Sequence, residues 1–328
     1  MQAWLLPAYN GVSSMQLGSA SEPVPGPGQV VLNVQFASLN PADAYLAQGQ
    51  YPAKPTFPHI LGRDGVGTVA RVGEGVTNIK VGDTRLILRS EVGVDRPGTL
   101  AQQVAVEAAY TTDVPAGWTL EQAAAAPLVY VTAWQALSQW GALPDKPVVL
   151  VTGASGGVGV ASIQLAHALG YQVGALSRSK EKSEALRQLG ATWVLDPADP
   201  SWRDQLKGLL SKRRVDLAID NIGGENFNRV LDVMAMGGRI SCVGRLAGPV
   251  PSFNTAALFF RRLKIGGVAI ATYTLEESHA AWHTVLKTLE INSARPLIDH
   301  LFEFAEVPAA FARLAEGPLG KVIIRVAG

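Results

Sequence analysis

The stretch Val148-Val-Leu-Val-Thr-Gly-Ala-Ser-Gly-Gly-Val-Gly159 carries a buried-strand pattern straight into a glycine-rich turn, and the apolar-periodic segment Val160 to Leu169 follows it. Gly153, Gly156, Gly157 and Gly159 permit positive φ and close backbone approach. A helix opening there offers unpaired N–H groups and the positive end of its dipole. Such a turn cradles a pyrophosphate. The letters Gly153-Ala-Ser155-Gly-Gly157 also spell the G-x-S-x-G nucleophile elbow, which likewise joins a strand to a helix. An elbow, however, needs an oxyanion-forming run of the HGG type upstream and a late histidine on a loop. The sequence has no such run, its late histidines are His279, His283 and His300, and Gly159 has no use in an elbow. Packing a helix onto a sheet beneath a pyrophosphate does use it, so a dinucleotide is the expected ligand.

Working outward, strand candidates alternate with helices on the C-terminal side of residue 119: Val148 to Thr152, Gln172 to Leu176, Trp193 to Leu195, Val215 to Asp220, Gly238 to Val243 and Lys264 to Ala271. Continuously apolar strands separated by helices predict a doubly wound parallel sheet covered on both faces. Leu120 to Gln139 reads as a helical hairpin. Before it, Gln29 to Phe36, Gly65 to Val72, Arg85 to Leu88 and Ala101 to Val106 are short alternating segments cut by Pro and Gly. They predict a β-rich lobe with partly barrel-like closure, in which helical periodicity is scarce. The tail returns to mixed structure and ends in the strand Lys321 to Val326. The expected α/β organisation is a dinucleotide-binding domain over 120–271 and a β-rich catalytic domain built from 1–119 and 272–328.

With 328 residues, 48% of them hydrophobic and 17% charged, the chain is long enough for two cores and too apolar for disorder. A net charge of +1 gives no reason to expect nucleic acid; the basic runs Lys212-Arg-Arg214 and Arg261-Arg262 are short. The single cysteine, Cys242, excludes an intramolecular disulfide and a cysteine-rich zinc lobe. It reads as a buried strand residue. With no long apolar run anywhere and no basic, apolar leader at the start, the expectation is a cytoplasmic protein with no membrane partner.

In a dinucleotide fold the second strand ends beside the adenosine ribose, where an acidic residue selects NAD. Here that strand ends Ala175-Leu-Ser177-Arg178-Ser179-Lys180, with no acid before Glu181. A 2′-phosphate would meet a hydroxyl, a bidentate guanidinium and an ammonium, so NADPH is favoured over NADH.

The chain resembles the medium-chain dehydrogenase/reductase superfamily over nearly its full length, and within it the zinc-independent quinone oxidoreductase branch. The resemblance is carried by Leu39-Asn-Pro-Ala-Asp43, Gln48-Gly-Gln-Tyr-Pro52, Leu61-Gly-Arg-Asp-Gly-Val-Gly-Thr-Val69, Val81-Gly-Asp83, Ala125-Ala-Pro-Leu-Val-Tyr-Val-Thr-Ala-Trp134 and the turn itself. It implies a Rossmann-type domain beside a GroES-like one. Zinc members place Cys, His and Cys where this chain has Asn40, Arg63 and Leu128, so no metal is expected; the insertion holding a structural zinc is also missing. Arg63 is expected to fill the metal's space through an ion pair with Asp43 or Asp64. The resemblance puts Asn40, Asp43, Tyr45 and Tyr51 around nicotinamide and substrate, with Asn40 on the ribose or the acceptor oxygen and Tyr51 as proton donor. For the cofactor it implies Val131 and Thr132, the turn Gly153, Ser155, Gly156, Gly157, Val158 and Gly159, the pair Ser177–Arg178 with Lys180, and Asn221, Val243, Gly244, Arg245 and Lys321. Where the family often has Asn-Tyr beyond the third strand, this chain has Asp196-Pro197, which shifts phosphate recognition onto Arg178 and Lys180. Relatives extend the sheet across a two-fold through a strand like that within Phe259 to Ile270, which implies a homodimer.

Without a Lewis acid, ionising a simple alcohol is difficult, whereas reducing an activated acceptor is not. The expected activity is NADPH-dependent hydride transfer to a quinone or an α,β-unsaturated carbonyl. The alternatives are an enoyl-thioester reductase and a non-catalytic NADPH-binding sensor.

Overall fold

The computed structural model describes residues 1–89, 91–249, 252 and 255–327. The six others, Ser90, Val250, Pro251, Phe253, Asn254 and Gly328, fall within the two expected domains and lie outside the described residues. Contacts divide the chain into two units, Met1–Leu128 with Thr274–His279 and Arg295–Gly328, and Val129–Tyr273 with Ala280–Ala294.

The second unit is built on a six-stranded parallel sheet in the order Trp193–Leu195, Gln172–Leu176, Val148–Val151, Val215–Asp220, Met234–Cys242 and Lys264–Gly267. By position in the chain this is 3-2-1-4-5-6, the doubly wound order of dinucleotide folds, with its switch point between the first and fourth strands. The first strand is buried at every position, which explains its unbroken apolar letters. Helix Gly157–Ala168 follows it and hides Val160, Ala161, Ile163 and Leu165. Trp202, Leu150, Phe227 and Ile240 lie in a core cluster on this sheet.

Two strands depart from their expected limits. Met234–Cys242 begins earlier than Gly238, with Met236 exposed and a register shift against its neighbour between Val215 and Leu217. Lys264–Gly267 stops short of Ala271, because Ile270–Thr272 turns into a 3₁₀ helix. Lys264–Gly267 is an edge strand. Phe259 and Phe260, just before it, are exposed.

The first unit carries a seven-stranded sheet along which Ile298–Glu303, Lys321–Arg325, Gln29–Ser38, Asp64–Val72, Thr84–Ile87 and Thr111–Asp113 follow one another, Gln103–Glu107 also pairing with Gln29–Ser38. A smaller sheet joins Gln16–Ser19, Gln2–Leu6 and His59–Ile60. Residues 120–128 belong to this unit, not to the dinucleotide unit: helix Leu120–Ala125 buries Ala123, Ala124 and Ala125 and packs on strands Gln29–Ser38 and Asp64–Val72. Conversely, 280–294 join the second unit, where Trp282, Val285 and Leu289 of helix Leu275–Ile291 are buried. The first unit also contains a seven-residue helix, Pro41–Ala47, that the apolar periodicity does not announce.

Candidate active site

In the second unit the glycine turn sits where its sequence requires. Gly153 has φ +59°, and a Cβ there would lie 2.8 Å from Ile222 Cδ1. A Cβ on Gly159 would lie 2.4 Å from the Gly153 carbonyl oxygen and 2.6 Å from that of Ala154. The helix can therefore approach the turn this closely only with glycine at that position. Gly156 differs: it has φ −74°, and a Cβ on it would meet nothing nearer than 3.5 Å. A side chain there would therefore make only an ordinary van der Waals contact with the protein itself.

Across the switch point, Asp220 ends its strand and organises the loop after it. Thr152 Oγ1 donates to Asp220 Oδ1 at 2.6 Å, and the backbone N–H groups of Ile222 and Gly223 donate to the same carboxylate at 3.3 and 3.1 Å. Burial raises the Asp220 pKa against these hydrogen bonds. Burial also pushes the neighbouring Cys242 thiol up to about 11, with help from the Asp220 charge, so Cys242 stays protonated. Asn221 is buried, its amide bound to the Thr152 carbonyl oxygen at 2.8 Å, while Gly244 and Arg245 are exposed and Val243 is half-buried. Thr132 is buried within helix Pro127–Ser138. Ser177 is buried at the end of strand Gln172–Leu176, and Arg178 and Lys180 beyond it are exposed. Lys180 helps hold Asp199 below the usual carboxylate range, after the backbone and hydroxyl of Ser201.

In the first unit the chain gathers residues from both its ends. Asn40 precedes helix Pro41–Ala47, and its backbone N–H donates to Asp43 Oδ2 at 2.8 Å; Pro41 supplies the fixed φ of a first helical turn. The Asn40 amide donates to Asp64 Oδ2 at 2.9 Å and accepts from Lys321 Nζ at 2.6 Å. Lys321 also donates to the Leu39 carbonyl oxygen at 2.9 Å and lies 3.4 Å from Asp64 Oδ2. The backbone N–H of Leu128 donates to the other Asp64 oxygen at 3.3 Å. Asp43, Asp64, Asn40 and Lys321 are all buried. Desolvation raises Asp43 to about 6, against its hydrogen bond from Asn40 and the charges of Arg63 and Lys321. Burial lowers the Lys321 pKa, and Asp64 and Asp43 oppose that. Beside this cluster Arg63 Nη1 donates to Tyr51 Oη at 3.0 Å; Tyr51 and Tyr45 are half-buried.

Residues 157–290 match the family described as zinc-binding dehydrogenase, and 26–116 match the alcohol dehydrogenase GroES-like domain. The mitochondrial NAD(P)H oxidoreductase RTN4IP1 of Mus musculus is 30% identical, the match covering 99% of this chain and 89% of that one. The chain belongs to the medium-chain dehydrogenase/reductase superfamily. A quinone oxidoreductase of Lama guanicoe is 29% identical over 99% of this chain and 97% of its own length. Among solved structures, an NAD-dependent alcohol dehydrogenase superposes with a TM-score of 0.91 at 29% identity, covering 100% of both chains. A mycobacterial protein complexed with NADPH superposes with a TM-score of 0.90 at 25% identity, covering 99% of this chain and 100% of that one.

The residues at the three ligand-like positions do not fit zinc. At the three positions that resemble ligands, Asn40 offers an amide, Arg63 a guanidinium and Leu128 an apolar side chain, and none is a thiolate or imidazole. The oxygens that would attract a cation, Asn40 Oδ1 and Asp64 Oδ2, already face the Lys321 ammonium. Among the described residues no group of three or more His, Cys, Asp or Glu is placed to hold a metal.

The expected ion pair of Arg63 with Asp43 or Asp64 is not formed. Lys321 takes Asp64, the Asn40 N–H takes Asp43, and Arg63 turns to Tyr51 while still lowering the Asp43 pKa electrostatically. Two residues with central places, Asp64 and Asp220, were not among those expected to act. Asp64 begins a strand beside Gly65 and Asp220 ends one at the start of the loop leading to Gly223, positions where a buried carboxylate can organise backbone N–H groups, and that is the available signal.

Proposed function

We propose that this oxidoreductase is an NADPH-dependent, zinc-independent reductase acting on quinones or α,β-unsaturated carbonyl compounds. One observation carries the reading: the superfamily's metal position is closed by a buried lysine–carboxylate–amide network while the dinucleotide turn keeps all its glycines. When bound, the dihydronicotinamide supplies a hydride. Gly156 and the N–H groups opening helix Gly157–Ala168 receive the pyrophosphate, and Arg178 with Ser177 and Lys180 receives the 2′-phosphate. Because Tyr51 Oη accepts a hydrogen bond from Arg63, its own proton is free to be given to the acceptor as negative charge builds there. Asp43 and Lys321 hold Asn40 in place, so Lys321 acts by positioning. The identities to the quinone oxidoreductase and to the NAD(P)H oxidoreductase support this choice of acceptors and cofactor.

The test is steady-state turnover of chelator-treated protein with NADPH and NADH against matched quinone, enone and enoyl-thioester acceptors. NADPH is expected to be preferred, and added zinc to have no effect. Arg178→Ala should weaken NADPH binding about tenfold or more and leave NADH binding nearly unchanged, because the charge-assisted bonds lost are those to the 2′-phosphate. Equal use of both cofactors by the wild type, or zinc-dependent alcohol oxidation, would sink the reading.

The edge strand Lys264–Gly267 and the exposed Phe259 and Phe260 support a homodimer that continues the parallel sheet across a two-fold axis. Light scattering should give twice the 34.6 kDa of one chain, and Phe260→Glu should reduce it. A monomer at micromolar concentration would remove the proposal.

A further inference from the structure

We infer that Arg63 is a catalytic residue, forming with Tyr51 a two-donor site for the oxygen on which the acceptor's negative charge develops. The inference deepens the proposed reductase activity and rests on it for the identity of the acceptor. Arg63 immediately precedes strand Asp64–Val72 and is half-buried. Its guanidinium lies 5.4 Å from the centre of the Tyr51 ring and gives one N–H to the phenol oxygen. A guanidinium has five N–H donors in a fixed fork. Among the described residues no carboxylate forms an ion pair with it, and its buried Nε has no partner. The nearest competitors are committed elsewhere: Asp64 to Lys321, Asn40 and the Leu128 N–H, and Asp43 to the Asn40 N–H.

A permanently charged, under-used fork beside a phenol that has its own proton to give is the donor arrangement an oxyanion requires. It does so with no metal. In the reduction of an enone, the nicotinamide C4–H bond breaks and a C–H bond forms at the β-carbon. The π electrons move to the carbonyl oxygen, Tyr51 gives its proton to the resulting enolate, and solvent returns a proton to Tyr51. The dinucleotide is oxidised and the acceptor reduced by two electrons. Arg63 contributes where charge appears, first at the enolate oxygen and then at the phenolate. For a quinone the same pair meets the oxygen that becomes the hydroquinone's.

The experiment pairs turnover with a readout that needs none. Arg63→Met, Arg63→Lys and Tyr51→Phe are assayed with NADPH against one enone and one quinone. In parallel, 4-nitrophenol is titrated into the wild type and each variant with NADP⁺ present, its yellow phenolate band reporting how the oxygen is held. Arg63→Met is expected to lower kcat roughly 100-fold, the scale for loss of one oxyanion donor, with NADPH affinity retained and Arg63→Lys recovering part of the loss. The wild type should bind 4-nitrophenol as the phenolate, and Arg63→Met should not. Unchanged kcat and phenolate binding in Arg63→Met, or a loss of thermal stability alone, overturns the inference while wild-type turnover leaves the reductase reading standing. Arg63-dependent phenolate binding in a wild type that reduces no quinone or enone does the reverse. If the wild type neither turns over nor binds the phenolate, both fall.

Discussion

Gly156→Ala and Gly159→Ala are expected to abolish tight NADPH binding for different reasons, and only the second should destabilise the protein. At Gly159 the new methyl would meet the backbone oxygens of Gly153 and Ala154 at 2.4 and 2.6 Å, so helix Gly157–Ala168 must withdraw from the turn. Overpacking of this kind costs about 1–3 kcal/mol of stability, and a displaced helix N-terminus no longer aims its N–H groups at the phosphates. A loss on the order of 100-fold in affinity corresponds to about 3 kcal/mol. At Gly156 the protein itself has room, since the nearest atom to a Cβ is 3.5 Å away and φ is −74°. The same methyl would stand where the pyrophosphate approaches. Its thermal midpoint should therefore match the wild type's while its affinity for NADPH falls. Gly208, in helix Trp202–Leu210 with nothing near its Cβ position, supplies the control: Gly208→Ala should bind NADPH normally. Calorimetric titration with NADPH reads all three. Normal affinity in Gly156→Ala would mean that the ligand does not approach over this turn.

The difference between these glycines also shows where sequence is transparent. The turn is legible because strand, glycines and helix are contiguous, and because strand Val148–Val151 is buried at every residue. Local letters then report local geometry. The parallel order also follows, since apolar runs spaced by helices have few ways to pair. Helix Pro41–Ala47 is less visible: seven residues are too few for a 3.6-residue period to declare itself, although Asn40 and Pro41 are start signals. Strand Met234–Cys242 hides its beginning because Ala235, Met236 and Gly237 after the buried Met234 are partly or largely exposed and break the apolar run. The network around Asp64 is not legible at all from local pattern. Asp64 and Lys321 are 257 positions apart, and the parallel pairing of Ile298–Glu303 with Lys321–Arg325 and the antiparallel pairing of that strand with Gln29–Ser38 bring the lysine to Asn40. A resemblance can point to Lys321, but only the fold shows which groups its ammonium meets. Arg63 and Tyr51 pose the same difficulty over a shorter span, twelve residues of chain that include Pro52, Pro55 and Pro58.

Lys321→Met is expected to cost the first unit about 3–5 kcal/mol, the range for removing one member of a buried charged pair. The substitution leaves the Asp64 carboxylate and the Asn40 Oδ1 without the ammonium they face, at a site where Lys321 and Asp64 side chains are 4% and 3% exposed. The loss should grow with pH. Asp43 titrates near 6 in the fold against an ordinary value of 3.8, so between those values the folded state binds more protons than the unfolded chain. For such a group stability falls as pH rises through the window from about 4 to about 6. Lys321 is one of the two cations that lower the Asp43 pKa, and without it ionising Asp43 in the fold costs more. The gap between wild type and variant should therefore be wider at pH 7.5 than at pH 5. Denaturant unfolding at both values measures it, and Asp64→Asn in the Lys321→Met background should restore part of the stability by removing the stranded charge. Turnover should fall with the order of Asn40, whereas NADPH affinity in the folded variant should hold. A variant that keeps its stability at both pH values but loses NADPH affinity would make Lys321 a cofactor ligand after all, and the network around Asp64 would then be its resting place in the absence of the dinucleotide.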